Sequence, residues 1–210
     1  MRPSTLLSAL APPLCWTCGR PAVPGLALCR GCRADLRWLG DEPVDLGGVP
    51  TWAPVAYEGP ARDLVRALKF RSAAGLARTL ATQIVANAPA ELLAGAQLVP
   101  VPLHRTRRRE RGFNQAEALA AAIGERSRLE VIACLERTGA GGRQVGRSRA
   151  QRLAVAGGVV VRPDAAVPGC SLLVDDVITT GATLAACARA LAAAGATEVR
   201  AVAYARTPLR

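Results

Sequence analysis

The sequence is poor in several residue types that would point to particular classes of protein. Its 210 residues include one histidine, one methionine and 3% aromatic residues, and Lys69 is the only lysine. No apolar run approaches the roughly 20 residues that a membrane-spanning helix needs. Residues 1–14 lack the compact apolar segment and cleavage site of a secretory signal. These absences exclude transmembrane, collagen-like and coiled-coil classes, and we expect a cytoplasmic protein without membrane insertion.

The composition favours a folded, basic protein. Half of the residues are hydrophobic, which is enough for one ordinary domain with a small appendage. The net charge is +11, and residues 99–155 carry 12 arginines against 5 glutamates. Such a local positive potential concentrates phosphate, pyrophosphate or nucleic acid, although a solvated arginine-rich surface is the alternative interpretation.

Four of the seven cysteines form a metal-binding pattern near the N-terminus. Cys15, Cys18, Cys29 and Cys32 have the spacing C-x2-C-x10-C-x2-C. Two such pairs can supply four thiolates to one structural zinc ion. Two disulfides or a redox-active pair are the alternatives, but a reducing compartment disfavours disulfides. The remaining cysteines are interpreted as small buried hydrophobic residues.

The rest of the chain predicts an α/β domain with a parallel sheet and helices on both faces, because apolar strands alternate with helices. We divide the chain into an N-terminal segment with the zinc module (1–40), a linker (41–50) and the α/β domain (51–210). Strands are predicted at 51–57, 97–101, 129–135, 157–161, 171–174 and 198–205, and helices at 61–70, 76–87, 114–126 and 182–194.

The segment from Ser171 to Thr183, SLLVDDVITTGAT, concentrates the chemistry. A buried strand leads into two acids, a hydroxyl-rich turn and a helix. Ligands of open α/β sheets bind at the carboxyl ends of strands, and backbone amides at a helix N-terminus can cradle phosphate. Adjacent carboxylates suit ribose hydroxyls or Mg²⁺. The candidate phosphoribosyl-binding residues are Asp175, Asp176, Thr179, Thr180, Gly181, Ala182 and Thr183. The alternative is an acidic strand end followed by an ordinary helix cap.

A second candidate segment begins at Arg111. Gly112 allows a close turn, Asn114 can cap the following helix, and the neighbouring amides with Arg111 suit pyrophosphate. Residues 105–109 are either a second anion contact or a solvated loop. His104 is interpreted as a loop residue, because the sequence suggests no partner to orient it as a base.

These motifs resemble type I phosphoribosyltransferases, and nearly the whole chain resembles the ComF/GntX family of phosphoribosyltransferase-like competence proteins. The resemblance is carried by the four cysteines, Tyr57, Lys69-Phe70, VPVPL at 99–103, RGFNQA at 111–116 and LLVDDVITTGAT at 172–183. It implies a site for phosphoribosyl pyrophosphate (PRPP) with Mg²⁺, and a pyrophosphate loop formed by Arg111, Gly112, Phe113 and Asn114. Residues 139–152 correspond by position to a mobile loop, in which Arg147, Arg149 and Arg152 could meet pyrophosphate. The sequence departs from the expected family pattern at 152–155, where it reads RLAV.

Two functions are compatible with this resemblance. One is transfer of phosphoribosyl from PRPP to an unknown acceptor, which is pentosyltransferase chemistry. The other is a non-catalytic PRPP-binding or DNA-uptake accessory role, with competence or DNA-processing proteins, or single-stranded DNA, as partners. Thr179 stands where hypoxanthine/guanine-type enzymes carry an aspartate, so we expect negligible 6-oxopurine salvage.

Overall fold

The computed structural model describes residues 13–22, 26–70, 74–137 and 158–208. Its helices are α1 (Arg30–Ala34), α2 (Gly59–Phe70), α3 (Ala74–Asn87), α4 (Ala90–Leu93), α5 (Arg105–Arg111), α6 (Gln115–Ser127) and α7 (Ala182–Ala193). Its strands are β1 (Val44–Asp45), β2 (Pro50–Trp52), β3 (Val55–Ala56), β4 (Gln97–Pro100), β5 (Leu135–Arg137), β6 (Val159–Val161), β7 (Cys170–Ile178) and β8 (Glu198–Arg206). Within these ranges, no helix is long and apolar enough to cross a bilayer.

The main sheet is largely parallel. Its strand order is β1-β2-β8-β7-β4, and β3 also pairs with β8. Strand β8 runs parallel to β2, β3 and β7, and β7 runs parallel to β4, whereas β1 pairs antiparallel with β2 at one edge. Strands β5 and β6 form a separate antiparallel ribbon.

Both faces of the sheet are covered by helices, as the continuous apolar strands predict. Leu172 and Val174 of β7 belong to a hydrophobic core that includes residues of α2, α3 and α6. Leu173, which points to the opposite face, belongs to a second core that includes residues of α7. The predicted fold class, an α/β parallel sheet preceded by a four-cysteine module, is therefore confirmed.

The four-cysteine module shares a hydrophobic core with the sheet. Cys15, Leu28 and Leu36 belong to the same buried cluster as Trp52 of β2. Backbone hydrogen bonds join the two parts, including one from Leu39 N–H to the carbonyl of residue 54 at 2.8 Å. The segment predicted as a linker contains β1. Its buried residues Leu46 and Val49 pack in the second hydrophobic core, which also includes residues of α7. These contacts join the module, the linker and the sheet into one packed unit.

Several elements differ from the sequence-based expectation. The strand predicted at 51–57 is divided into β2 and β3, and α1, α4 and β1 were not predicted. Strand β7 continues through the acid pair to Ile178 because it remains paired with β8 there. Residues 105–111 form a helix, and its N-cap His104 accepts a hydrogen bond at Nδ1 from the backbone N–H of Thr106 at 3.3 Å. The strand predicted at 129–135 is wrong: Val131 makes one bridge to Leu98, and the next strand begins only at residue 135.

Candidate functional site

A polar cavity of about 450 Å³ lies beyond the carboxyl end of β4 and beside the last third of β7. Parallel strands in an α/β sheet bring their carboxyl ends to one edge, which is where ligands bind in such folds. The polar side chains that line it come from six helices or strands and their adjoining loops: Lys69, His104, Arg107, Arg111, Asn114, Gln115, Arg137, Asp175, Asp176 and Thr183. Segments far apart in the sequence therefore meet at this cavity.

The acid pair stands at one wall of the cavity. Asp176 is 5% exposed, and its Oδ2 lies 3.3 Å from Nζ of Lys69 at the end of α2. Apart from this ion pair, the Oδ2 atom has no hydrogen-bond partner among the described residues. Asp175 accepts a hydrogen bond at Oδ1 from the backbone N–H of Asp176 at 2.8 Å. The pair therefore keeps acceptor capacity for a hydroxyl group or a cation.

The electrostatic environment favours a proton on the acid pair when no cation or ligand is bound. Burial raises the pKa of Asp175 to about 8, and the neighbouring charge of Asp176 acts in the same direction. Burial also raises the pKa of Asp176, although the positive charge of Lys69 opposes this effect. A divalent cation at the pair would displace the proton, because it stabilises the ionised carboxylates.

The cavity is also rich in cations. Besides Lys69, it is lined by Arg107, Arg111 and Arg137. The guanidinium of Arg111 donates to Oε1 of Gln115 at 3.2 Å, which fixes its direction on the last turn of α5. Four cations against two acids with raised pKa values give the cavity a net positive charge, and such a site attracts anions.

The TTGAT turn adjoins this cavity. Residues 179–182 line a smaller recess of about 50 Å³, and both recesses include Asp175 and Thr183. Gly181 adopts a left-handed conformation with φ of 75° and is the N-cap of α7, and Oγ1 of Thr180 accepts from the N–H of Ala182 at 3.5 Å. The next amides of the first turn of α7 are available to an anion, and the helix dipole adds to the attraction.

The RGFNQ segment is held by its asparagine. Asn114 caps α6 through Oδ1, which accepts from Ala116 N–H at 3.1 Å, and its Nδ2 donates to the carbonyl of Val101 at 3.1 Å. Of the four predicted pyrophosphate-loop residues, Arg111 and Asn114 line the cavity, whereas Gly112 and Phe113 do not. Gly112 ends α5 with φ of 77°.

The residues on the cavity wall differ in part from those that the sequence predicts. Arg147, Arg149 and Arg152, the predicted mobile-loop contacts, lie outside the described residues. Sequence reasoning did not assign Gln115 or Arg137 to the site, and it included Arg107 only within residues 105–109, as a second anion contact or a solvated loop. The structure places all three on the cavity wall. Lys69 appeared only as part of the family resemblance, and its being the sole lysine was the one signal that could have singled it out.

The four N-terminal cysteines form a single group that suits a tetrahedral metal ion. Their sulfur atoms all lie within 4.8 Å of one another, and all four are free thiols. The Sγ atoms of Cys18 and Cys29 are 3.7 Å apart, close to the edge of about 3.8 Å that Zn–S bonds of about 2.3 Å give a regular tetrahedron. This arrangement is compatible with structural zinc held by four thiolates.

One of these thiols is already disposed to ionise. Burial by itself would raise the pKa of Cys15, but hydrogen bonds from the backbone of Cys29, Cys18 and Thr17 outweigh it and lower this pKa to about 6. A thiolate is the form that binds zinc, so these hydrogen bonds favour the metal-binding form of Cys15. A backbone hydrogen bond also lowers the pKa of Cys29, whereas burial raises the pKa of Cys32.

The fold and the two sites define an α/β protein with a parallel sheet, an anion-attracting cavity at its carboxyl edge and an N-terminal four-cysteine module. A comparison with curated proteins finds the competence protein ComFC of Streptococcus pneumoniae, 34% identical over 104 residues, which are 50% of this chain and 45% of that protein. This likeness and the four-cysteine group support the predicted resemblance to the ComF family. The chain spans about half the length of this relative. No protein-family model matches the chain.

Proposed function

We propose that this chain binds PRPP with Mg²⁺ in the cavity beside β7 and transfers its phosphoribosyl group to an acceptor. The observation that carries the proposal is that three kinds of subsite lie together. An acid pair, a helix-capping turn and a cluster of cations border two recesses that share Asp175 and Thr183. The three groups of PRPP, a 5-phosphate, a ribose and a pyrophosphate, need such a series.

Each subsite is suited to one part of this ligand. The turn at residues 179–183 offers backbone amides and threonine hydroxyls to the 5-phosphate. Asp175 and Asp176 can accept hydrogen bonds from the ribose hydroxyls. Arg111, held by Gln115, is directed to the cavity where the pyrophosphate would lie.

A magnesium ion fits the oxygen donors of this site. The buried Oδ2 of Asp176 lacks a hydrogen bond, and Mg²⁺ is ordinarily bound through one or two carboxylates and substrate phosphates. When bound, the ion would neutralise charge on the departing pyrophosphate. Lys69 would compete with the ion for Asp176, so its ammonium must shift or remain as a second neutralising charge.

The biological setting of the proposal comes from the relative. Because the similar protein of S. pneumoniae is named a competence protein, we place this chain in DNA uptake or the handling of imported DNA. The second candidate is that the chain binds PRPP without turning it over and acts as an accessory factor for competence or DNA-processing proteins.

The proposal is tested by comparing PRPP affinity between Asp176→Asn and the parent protein. Removing the charge from this buried carboxyl should weaken Mg²⁺-dependent binding at least about tenfold, on the order of 1.4 kcal/mol. Asp164→Asn, an exposed acid outside the cavity, is the matched control and should bind like the parent. Unchanged affinity in Asp176→Asn would reject this assignment of the site.

A second measurement separates the two candidate functions. Sustained release of pyrophosphate from PRPP in the presence of an acceptor supports transfer. Saturable PRPP binding without pyrophosphate release, across nucleobases and other acceptors, supports the accessory role.

A further inference from the structure

Arg137 links three segments that are distant in the sequence. It is the last residue of β5, on the separate two-stranded ribbon, and its guanidinium lies on the cavity wall. Its Nε donates to the carbonyl of Pro102 at 3.1 Å, and its NH2 donates to Oγ1 of Thr183 at 3.2 Å. One side chain therefore joins the ribbon, the loop after β4 and the first turn of α7.

The bond to Thr183 has a defined direction. A guanidinium has only donors, so the threonine oxygen must accept from it. A hydroxyl has one proton to donate, and this contact leaves that proton free. Since a charged donor binds more strongly than a neutral one, the contact also holds the oxygen in place and polarises its O–H bond.

We propose that Arg137 is a positioning residue that turns the Thr183 hydroxyl into a dedicated hydrogen-bond donor for a bound phosphate. The bond to Pro102 fixes the guanidinium on its other side, so its orientation does not depend on the ligand. Without Arg137, the hydroxyl could rotate and donate to a nearby carbonyl instead, and a phosphate would then meet an oxygen lone pair. This inference rests on the proposed phosphate site at residues 179–183.

The alternative is that Arg137 contacts an anion directly. The two cases differ in how Arg137 and Thr183 depend on each other. If Arg137 acts through the hydroxyl, its removal has no further effect once the hydroxyl is gone. If it binds the anion itself, the two losses add.

The experiment is a double-mutant cycle read out by calorimetric titration with ribose 5-phosphate and, separately, with PRPP and Mg²⁺. Ribose 5-phosphate carries only the phosphate that the turn would bind, so contacts to pyrophosphate do not enter its affinity. Arg137→Ala and Thr183→Val should each weaken binding about tenfold, and the double variant should be no weaker than the weaker single variant. Thr183→Ser, which keeps a hydroxyl, should bind more tightly than Thr183→Val and remain sensitive to Arg137→Ala.

Two further variants make the test decisive. Arg162→Ala removes the same charge from the neighbouring strand end without touching this cavity, and it should leave affinity unchanged. If Arg137→Ala fails to fold, Arg137→Gln replaces it in the cycle. The glutamine amide can still donate to Thr183, so this variant should keep part of the affinity of the parent protein.

The outcomes separate this inference from the proposed function. If the parent protein binds neither ligand, the proposed function fails and this inference fails with it. If the parent protein binds the ligands but Arg137→Ala does not change the affinity, the positioning role alone is overturned. The same holds if Arg137→Ala lowers the affinity of the Thr183→Val variant as much as it lowers the affinity of the parent protein.

Discussion

Replacing Gly181 with alanine should destabilise the protein through a contact with the segment between β1 and β2. Gly181 has φ of 75°, and a Cβ atom placed there would lie 2.8 Å from the carbonyl oxygen of Leu46 and 2.9 Å from its Cβ. The closest of these atoms belongs to the backbone, so a side-chain rotation cannot relieve the clash. Either the turn at residues 179–183 or the segment around Leu46 must move.

Two terms set the expected magnitude. A left-handed backbone costs an alanine about 1–2 kcal/mol relative to glycine, and an added methyl group in a packed position costs about 1–3 kcal/mol. Gly181→Ala should therefore lower the free energy of unfolding by about 2–5 kcal/mol. Gly95→Ala is the matched control, because Gly95 has φ of 65° and no atom within 4 Å of the added Cβ. Gly95→Ala should lower the free energy of unfolding only by the cost of the left-handed backbone, about 1–2 kcal/mol.

Urea unfolding, followed by circular dichroism, measures this difference directly. The reasoning predicts that Gly181→Ala loses about 1–3 kcal/mol more than Gly95→Ala, and that its phosphate affinity falls as well because the turn has moved. Equal losses in the two variants would refute the contact with Leu46.

Three further predictions concern the metal, the acid pair and the acceptor. Cys18→Ser should lower the zinc content of protein purified without chelator, measured by elemental analysis, and lower its melting temperature, since metal binding and folding are coupled; zinc-free parent protein with intact disulfides would contradict this. Asp175 has a pKa of about 8 against the ordinary 3.8, so the native state binds more protons than the unfolded state between these values and stability should fall as pH rises through this window. Asp175→Asn should flatten that fall in urea unfolding at pH 5 and pH 8.5, whereas Asp164→Asn should not. With Thr179 in place of an aspartate, the protein should form no measurable IMP or GMP from the free bases, and turnover of about 1 per second or faster would refute this expectation.

The parts of the site that the sequence revealed are those encoded by local spacing. The two CxxC pairs needed only their separation to indicate a metal site, and the structure brings the four sulfurs together. The acid pair and the TTGAT turn were visible because an apolar strand, two acids and a glycine turn follow one another. The strand length was missed, because β7 continues past Asp175 only through its pairing with Ala203 and later residues of β8, and strand propensity disfavours aspartate.

The parts that the sequence could not reveal depend on long-range contacts. Arg137 lies 46 positions from Thr183, and nothing in its neighbourhood distinguishes it from other arginines. The helix α5 carries a run of charged residues without apolar periodicity, so no hydrophobic pattern predicts it. Its first turn is capped by His104. Arg108 also makes two hydrogen bonds to Glu117 of α6, at 3.0 and 3.3 Å.

Calorimetric titration of the parent protein with PRPP, once with Mg²⁺ and once with excess EDTA, tests the central claim most directly. The acid pair and the cationic wall predict saturable binding at one site that requires the metal. The affinity should also rise as pH increases towards 8, because the ion or ligand must displace the proton held by the acid pair. Absence of binding with Mg²⁺, or equal binding in EDTA, would contradict the claim that this cavity is a PRPP site.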